Sequence, residues 1–275
     1  MSVKTLSRMN FNSAGTTNPL ILGFNSGAPA ASASQLSSLG YTTNGNYWIT
    51  IGGSAVECYV NFTFAGGPYI LAMVTSGTGS TYGYDSTVWT DSTGGVSTAL
   101  NPALSTNQVH MSFYNLATTR TGLSLYQNST LYFHYTDHSS YTPRALANQA
   151  VAVPTPTTPN NSDIAANSLV ANGAAGRPAG WGNAITAAGY SAMNWGSTYY
   201  RYGWQHGTPD PSGYGWARFG WTADQDPSDS RDRFIGIGIK NGGSGPLASI
   251  THSAGYGDYV GGVNASLKGF LYIKN

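Results

Sequence analysis

Residues 56–64 read VECYVNFTF. Val56, Cys58, Val60, Phe62 and Phe64 alternate with Glu57, Tyr59, Asn61 and Thr63. An apolar residue at every second position is the period of a half-buried β-strand, because successive side chains leave a strand on opposite faces. Gly66-Gly67-Pro68 follows as a turn, and residues 69–74 (YILAMV) read as a more fully buried strand. Upstream, residues 46–51 are strand-like and Gly52-Gly53 is the turn between the two runs. Before that, Ser32 or Ser34 is placed to cap a short helix carrying Leu36 and Leu39, stopped by Gly40. Cys58, on the apolar side of the central strand, reads as a core thiol rather than a reactive one.

Downstream the same period recurs. Residues 77–101 are rich in Gly, Ser, Thr and Asp and read as a long loop. Residues 108–114 alternate through Val109, Met111 and Phe113, and residues 130–135 form another strand candidate. Residues 153–161 (VPTPTTPNN) are Pro-rich and stiff, either a boundary between units or a surface loop. Residues 214–222 and 234–239 are strand-like, and in the latter Ile235, Ile237 and Ile239 face away from Phe234, Gly236 and Gly238. A glycine side on a strand implies close approach of another backbone or an aromatic ring. Residues 267–273 close the chain as a strand tied into a sheet.

Composition sets the class. The chain has 275 residues, of which 8% are charged, against roughly 25% in an average globular protein. Aromatic residues make up 13%, and Glu57 is the sole glutamate. Helical bundles and coiled coils need the Glu and Lys that are missing here. A formal net charge of +1 argues against a nucleic-acid binder, which needs clustered Lys and Arg. The expected fold is β-rich (α+β), with antiparallel sheet, few short helices and long loops.

The N-terminal MSVKTLSRMNFNSAG has no apolar core of signal-peptide length, and no apolar run long enough for a membrane helix is present. The lone Cys58 excludes an internal disulfide, which fits folding in a reducing cytoplasm. The neutral Ser, Thr, Asn, Gly and Tyr surface nonetheless suits carbohydrate-binding or virion-surface proteins. Synthesis in a cytoplasm with release by lysis reconciles the two.

Four of the aspartates, Asp224, Asp226, Asp229 and Asp232, fall in DQDPSDSRD. Carboxylates at short, irregular spacing in a loop are the donors a hard cation such as Ca²⁺ takes. The alternative is a solvated acidic loop partly neutralised by Arg231 and Arg233. The spacing is not that of an EF-hand, since Asp229 and Ile235 stand where Gly and Glu are required. As a carboxylate pair, Asp224 and Asp226 would suit glycoside hydrolysis, but no hydrolase motif lies nearby. Residues 181–221 hold Trp181, Trp195, Trp204, Trp216 and Trp221 among several tyrosines. Tyr199, Tyr202, Trp204, His206 and Tyr256 are the candidate ligand contacts, because aromatic faces stack on sugar rings while polar tips bond hydroxyls. Phe219 and Trp221 read as core. The five histidines show no metal-ligand spacing, and no nucleophile, zinc or phosphate-binding motif is present, so the chain is not expected to be an enzyme.

The run from Ser32 to Gly77 resembles the start of a fibrinogen C-terminal-like domain. There a short helix leads to a "G-x-Y-W-I" strand, then "Y-C-D-M", then "G-G-G-W-T-L-V". The matching pieces here are Gly45-Asn46-Tyr47-Trp48-Ile49, Tyr59-Val60-Asn61-Phe62 and Ala65-Gly66-Gly67-Pro68-Tyr69-Ile70-Leu71. ARFGWTADQDPSDSRDRFIGIGIK (217–240) and SAGYGDYVGG…ASLKGFLYIKN at the end are similar to the microbial and intelectin-like versions. The matches frame residues 31–275. This chain departs from the family in having Val60 and Asn61 where the motif has Cys and Asp, so the family's disulfides are absent.

The resemblance implies a Ca²⁺-dependent, lectin-like recognition domain whose acidic loop carries over to Asp224, Asp226, Asp229 and Asp232. The expectation is a receptor-binding or adhesin protein of a bacteriophage tail fibre, located in the virion tail and binding a host surface glycan. Residues 1–30 would be an arm docking to other tail or baseplate proteins, and the whole a homo-oligomer, a homotrimer being common among fibre proteins. Nucleic acid and membrane insertion are not expected. The alternatives are a structural virion protein such as a capsid decoration, a cell-surface adhesin or secreted lectin, and a polysaccharide-degrading enzyme.

Overall fold

The computed structural model describes residues 21–76, 79–91, 94–103, 106–127, 130–148, 204–206, 215–223, 233–241, 251–258 and 263–275. A short helix, α1 (Ala33–Ser38), opens the described chain. Ser32 caps it, its Oγ accepting from the Gln35 amide at 2.9 Å. Leu36 is buried, whereas Leu39 at the helix end is exposed. The Asn275 side chain and carbonyl accept from the amides of Ala33 and Ser34, so the chain terminus satisfies the first turn of α1.

β1 (Gly45–Ile51) and β2 (Ser54–Asn61) form a hairpin closed by Gly52-Gly53. Both glycines have positive φ, +59° and +83°, the hand of turn that matches strand twist. Tyr47, Ile49 and Ile51 bury one face together with Val56, Cys58 and Val60. The alternation read over residues 56–64 stops being strand at Asn61. There Asn61 Oδ1 accepts from the amides of Thr63 and Phe64, an Asx turn that outcompetes the ladder. Phe64 starts a 3-10 turn (Phe64–Gly66) and is still buried.

β3 (Tyr69–Thr75) is buried at every position. It is flanked by β12 (Lys268–Lys274), which lies between β3 and β5 (Thr118–Gln127), with β6 (Thr130–Tyr141) outside. The chain's last strand therefore lies inside the sheet. Opposite β12, the partners step from Met73↔Leu271 to Leu71↔Tyr272, leaving Ala72 as an extra residue. Such a bulge shifts the facing of the strand by one. Ala72 and Met73 accordingly both join the main core, whereas Leu71 and Val74 join a second cluster with Phe64, Tyr69, Leu100, Phe270 and Tyr272.

At the bulge β3 changes neighbour, from β2 (Val60↔Ile70) to β4 (Gln108–Val109, Met73↔Val109). The strand expected over residues 108–114 ends after Val109. Met111 enters αR and α2 (Ser112–Asn115) follows. Phe113 and Tyr114, consecutive in this helix, are both buried.

The second sheet has the order β11-β10-β9-β8-β7. Its strands are β7 (Trp204–His206), β8 (Gly215–Ala223), β9 (Arg233–Asn241), β10 (Thr251–Asp258) and β11 (Val263–Ser266). All its pairings are antiparallel. Leu267 is the single residue by which the chain leaves β11 for β12, and its amide donates to the Ala254 carbonyl at 3.1 Å. Phe219, Ile237 and Ala254 enter the same core as Ile49, Val60 and Trp89. The chain is thus β-rich, with antiparallel sheets and few short helices. No helix among the described residues is long and apolar enough to cross a membrane. Residues 153–161 lie outside the described residues.

Candidate functional site

The β8–β9 pair carries the acidic run. The pair closes at Ala223↔Arg233, so Asp224, Asp226, Asp229 and Asp232 belong to the connection between two paired strands and lie outside the described residues. On the far side of β9, Arg233 pairs with Asp258. Register therefore sets a fifth aspartate at the sheet end from which the acidic connection leaves. Sequence reading missed Asp258, which stands 26 positions from Asp232 and is brought there only by the β9–β10 pairing. Among the described residues no group of three or more His, Cys, Asp or Glu is assembled for a metal.

The candidate aromatic residues divide. Tyr199 and Tyr202 lie outside the described residues. Trp204 pairs with Trp221, Trp221 with Ile235, and Ile235 with Tyr256. Trp204 and Tyr256 thus share one register row of the sheet, three strand spacings or about 14 Å apart. His206 stands two rows further, aligned with Phe219, Ile237 and Ala254. The row of Trp204 and Tyr256 is two residues in from the Ala223↔Arg233 end.

A neighbouring position fixes this sheet to the rest of the chain. Gly238 has φ +66°, and the ladder pairs its neighbours Ile237 and Ile239. A Cβ on Gly238 would sit 2.6 Å from Trp89 Cζ2. Beside it, Arg218 Nε donates to the Tyr84 carbonyl at 2.8 Å and Nη1 to the Ala147 carbonyl at 2.7 Å. Burial pulls the guanidinium pKa below its ordinary value, opposed by the negative potential of Tyr84 and Asp85. Ser253 Oγ accepts from the Tyr82 amide at 3.0 Å. The loop 79–91 and α3 (Pro143–Ala147) are thereby clamped onto β8 and β10.

Two reactive residue types are spent on structure. His110 is fully buried. Its Nδ1 accepts from Ser112 Oγ at 2.8 Å, and its Nε2 faces the Glu57 carbonyl at 3.1 Å. A carbonyl only accepts, so Nε2 carries a proton, and the Ser112 amide donates to Nδ1 at 3.2 Å, so Nδ1 is unprotonated and the ring is neutral. Burial pushes its pKa down to about 4, against a smaller upward pull from the Glu57 carbonyl. A buried serine–histidine pair without access to solvent has no substrate to act on. Cys58 is likewise buried, and burial pushes its thiol pKa well up, which makes it inert.

A further aromatic group lies on the opposite side of the sequence. Tyr47 has ring centroids of Phe24 at 5.8 Å, Tyr41 at 5.6 Å and Phe62 at 5.7 Å around it. Phe24 and Tyr41 also touch, at 5.5 Å. Sequence reading looked for ligand aromatics in residues 199–256 and took Phe62 as core. No signal in the sequence marked the group, because Phe62 continues the alternation that starts at Val56.

No family model matches this sequence, and none of the curated proteins compared with it is detectably similar.

Proposed function

We propose that the chain is a receptor-binding protein of the adhesin type. It would be a component of a phage tail that recognises a host-surface glycan through a Ca²⁺-stabilised, fibrinogen-like lectin domain, without catalysis. The observation that carries the reading is the register of the second sheet. It aligns Trp204 with Tyr256 and brings Asp258 to the sheet end where the connection bearing Asp224, Asp226, Asp229 and Asp232 departs. Aromatic residues and carboxylates are the residue types that a sugar held beside a hard cation requires. The homo-oligomeric state and docking through residues 1–30 belong to the same proposal, and weak single contacts would gain by avidity.

The test is thermal unfolding in EDTA and then in millimolar Ca²⁺, followed by glycan-array binding in both. A cation held only by the folded chain stabilises it by about 2.7 kcal/mol at a hundredfold excess over its Kd. A Ca²⁺-dependent rise in Tm that Asp226→Ala abolishes, with Ca²⁺-dependent glycan binding, supports the reading. Absence of both overturns it and leaves a structural particle protein.

A further inference from the structure

The Phe24 cluster is remote in sequence from the acidic connection and plays no part in the reading above. Phe24 is 57% exposed, and Ile21 in the same turn is 60% exposed. Phe24 presents one ring and Ile21 one alkyl chain to water, while Tyr47 is buried in the core and Tyr41 and Phe62 are half-buried against it. They are also held still. Gly23 receives the Trp48 amide at 2.7 Å and gives its own amide to Ala28 at 2.7 Å. Tyr41 Oη donates to the Leu22 carbonyl at 3.1 Å and Tyr47 Oη to the Thr43 carbonyl at 2.8 Å. An exposed ring whose neighbours are already fixed loses little entropy on binding.

The surroundings say what kind of ligand fits. Thr42, Thr43, Asn44 and Thr63 are exposed, and Asn44 joins the two sides of the rim, accepting from the Phe62 amide at 2.7 Å and donating to Thr63 Oγ1 at 3.2 Å. From Met9 to Val56 the chain has no Asp, Glu, Lys, Arg or His. A segment without a charge gains nothing from an ionic ligand, and an anionic polysaccharide would find no cation on it. Self-association needs about 800 Å² per partner, and an exposed phenylalanine with one neighbouring alkyl chain falls well short. What remains matched is a neutral pyranose, with its C–H face on an aromatic ring and its hydroxyls on amides and hydroxyls.

We propose that Phe24, Tyr41 and Phe62, rimmed by Thr42, Thr43 and Asn44, form a second saccharide-binding surface that takes a neutral hexose on the Phe24 ring and needs no metal. It rests on its own observations and stands or falls separately from the calcium-dependent site.

The experiment is affinity electrophoresis of the full chain in EDTA through gels containing dextran, mannan or galactan, with polygalacturonate as the anionic control. At least one neutral polymer should retard the protein and polygalacturonate should not. Phe24→Ala should weaken that retardation about fivefold or more, and Phe24→Trp should retain it. Equal Tm values for wild type and Phe24→Ala exclude loss through unfolding. No retardation by any neutral polymer in EDTA overturns this site while leaving the calcium-dependent reading intact. Unchanged retardation in Phe24→Ala overturns it as well. So does a change of oligomeric state in Phe24→Ala by light scattering, which would make the patch an interface between copies.

Discussion

His110 Nε2 reaches the carbonyl oxygen of Glu57 at 3.1 Å, while the His110 backbone amide reaches the Ala72 carbonyl at 2.9 Å. Glu57 is on β2 and Ala72 is the bulged residue of β3, so one residue bonds to both strands where β3 exchanges one neighbour for another. A histidine at that point supplies a donor on a rigid ring without requiring a charge.

The pH dependence follows. In the unfolded chain the imidazole titrates near 6.5, and in the folded chain near 4. Between those values the unfolded state binds a proton that the folded state refuses, so stability falls as pH drops through the window. The full effect is of the order of 3 kcal/mol, present above pH 6.5 and lost by pH 4. Denaturant unfolding of wild type and His110→Gln at pH 7, 6, 5 and 4 checks this. The variant should be weaker at pH 7 and should lose less on acidification. Parallel curves would show that His110 is not the titrating group.

Thr75 is an opposite case. It is buried on β3 and its Oγ1 has no hydrogen-bond partner among the described residues. An unpaired buried hydroxyl costs about 1–3 kcal/mol relative to a paired one. Thr75→Val replaces it with a methyl group of nearly the same shape and keeps the β-branch. The expected result is a higher Tm, by roughly 1 kcal/mol of added stability. A lower Tm would mean that the hydroxyl is bonded in solution.

Arg218 should control a region rather than the whole. Its two donors hold Tyr84 and Ala147, and its guanidinium lies 4.0 Å over the Tyr84 ring. A lysine has neither the fork nor the plane to replace all three contacts. Arg218→Lys should raise hydrogen exchange in residues 79–91 and α3 and leave the β1–β2 hairpin unchanged. Exchange rising equally in β1 and β2 would show that the clamp is not local.

The elements legible in the sequence were those governed by nearest neighbours. The Ser32 cap, the Gly52-Gly53 turn and the alternation from Val56 to Val60 each depend on residues within a few positions, and each appears in the structure. The glycine side of β9 was also readable, and Gly238 does meet an aromatic ring, Trp89. What failed depended on distant partners or on side chains competing for the backbone. The Asn61 Asx turn cut β2 short. Residues 112–115 turned helical even though Val109, Met111 and Phe113 alternate. The ten-residue strand β5 has Thr, Arg, Gly and Ser among its residues, so its period was hidden. For the candidate site, sequence gathered the four aspartates, but the alignment of Trp204 with Tyr256 and the approach of Asp258 exist only through strand register. The Phe24 cluster joins residues up to 38 positions apart, and no local period marks it.

Gly238 and Trp89 give the sharpest test of how the second sheet is fixed. An alanine at 238 meets two costs. Its φ of +66° is unfavourable for any L side chain, about 1–2 kcal/mol. Its Cβ would also lie 2.6 Å from Trp89 Cζ2 and 2.8 Å from Arg218 Cβ, closer than carbon atoms pack. Trp89 cannot readily give way, because it is buried, its Nε1 donates to the Gly83 carbonyl at 2.7 Å, and Phe113 and Phe219 flank it at 6.0 and 6.2 Å. Gly238→Ala alone should therefore cost more than backbone strain accounts for, about 3 kcal/mol or more. Trp89→Phe removes the six-membered ring portion that carries Cζ2. In a double-mutant cycle the pair should cost at least about 1 kcal/mol less than the sum of the single changes. Additive costs would mean that the two residues do not touch, and would remove the contact that holds β9 against the loop carrying Trp89.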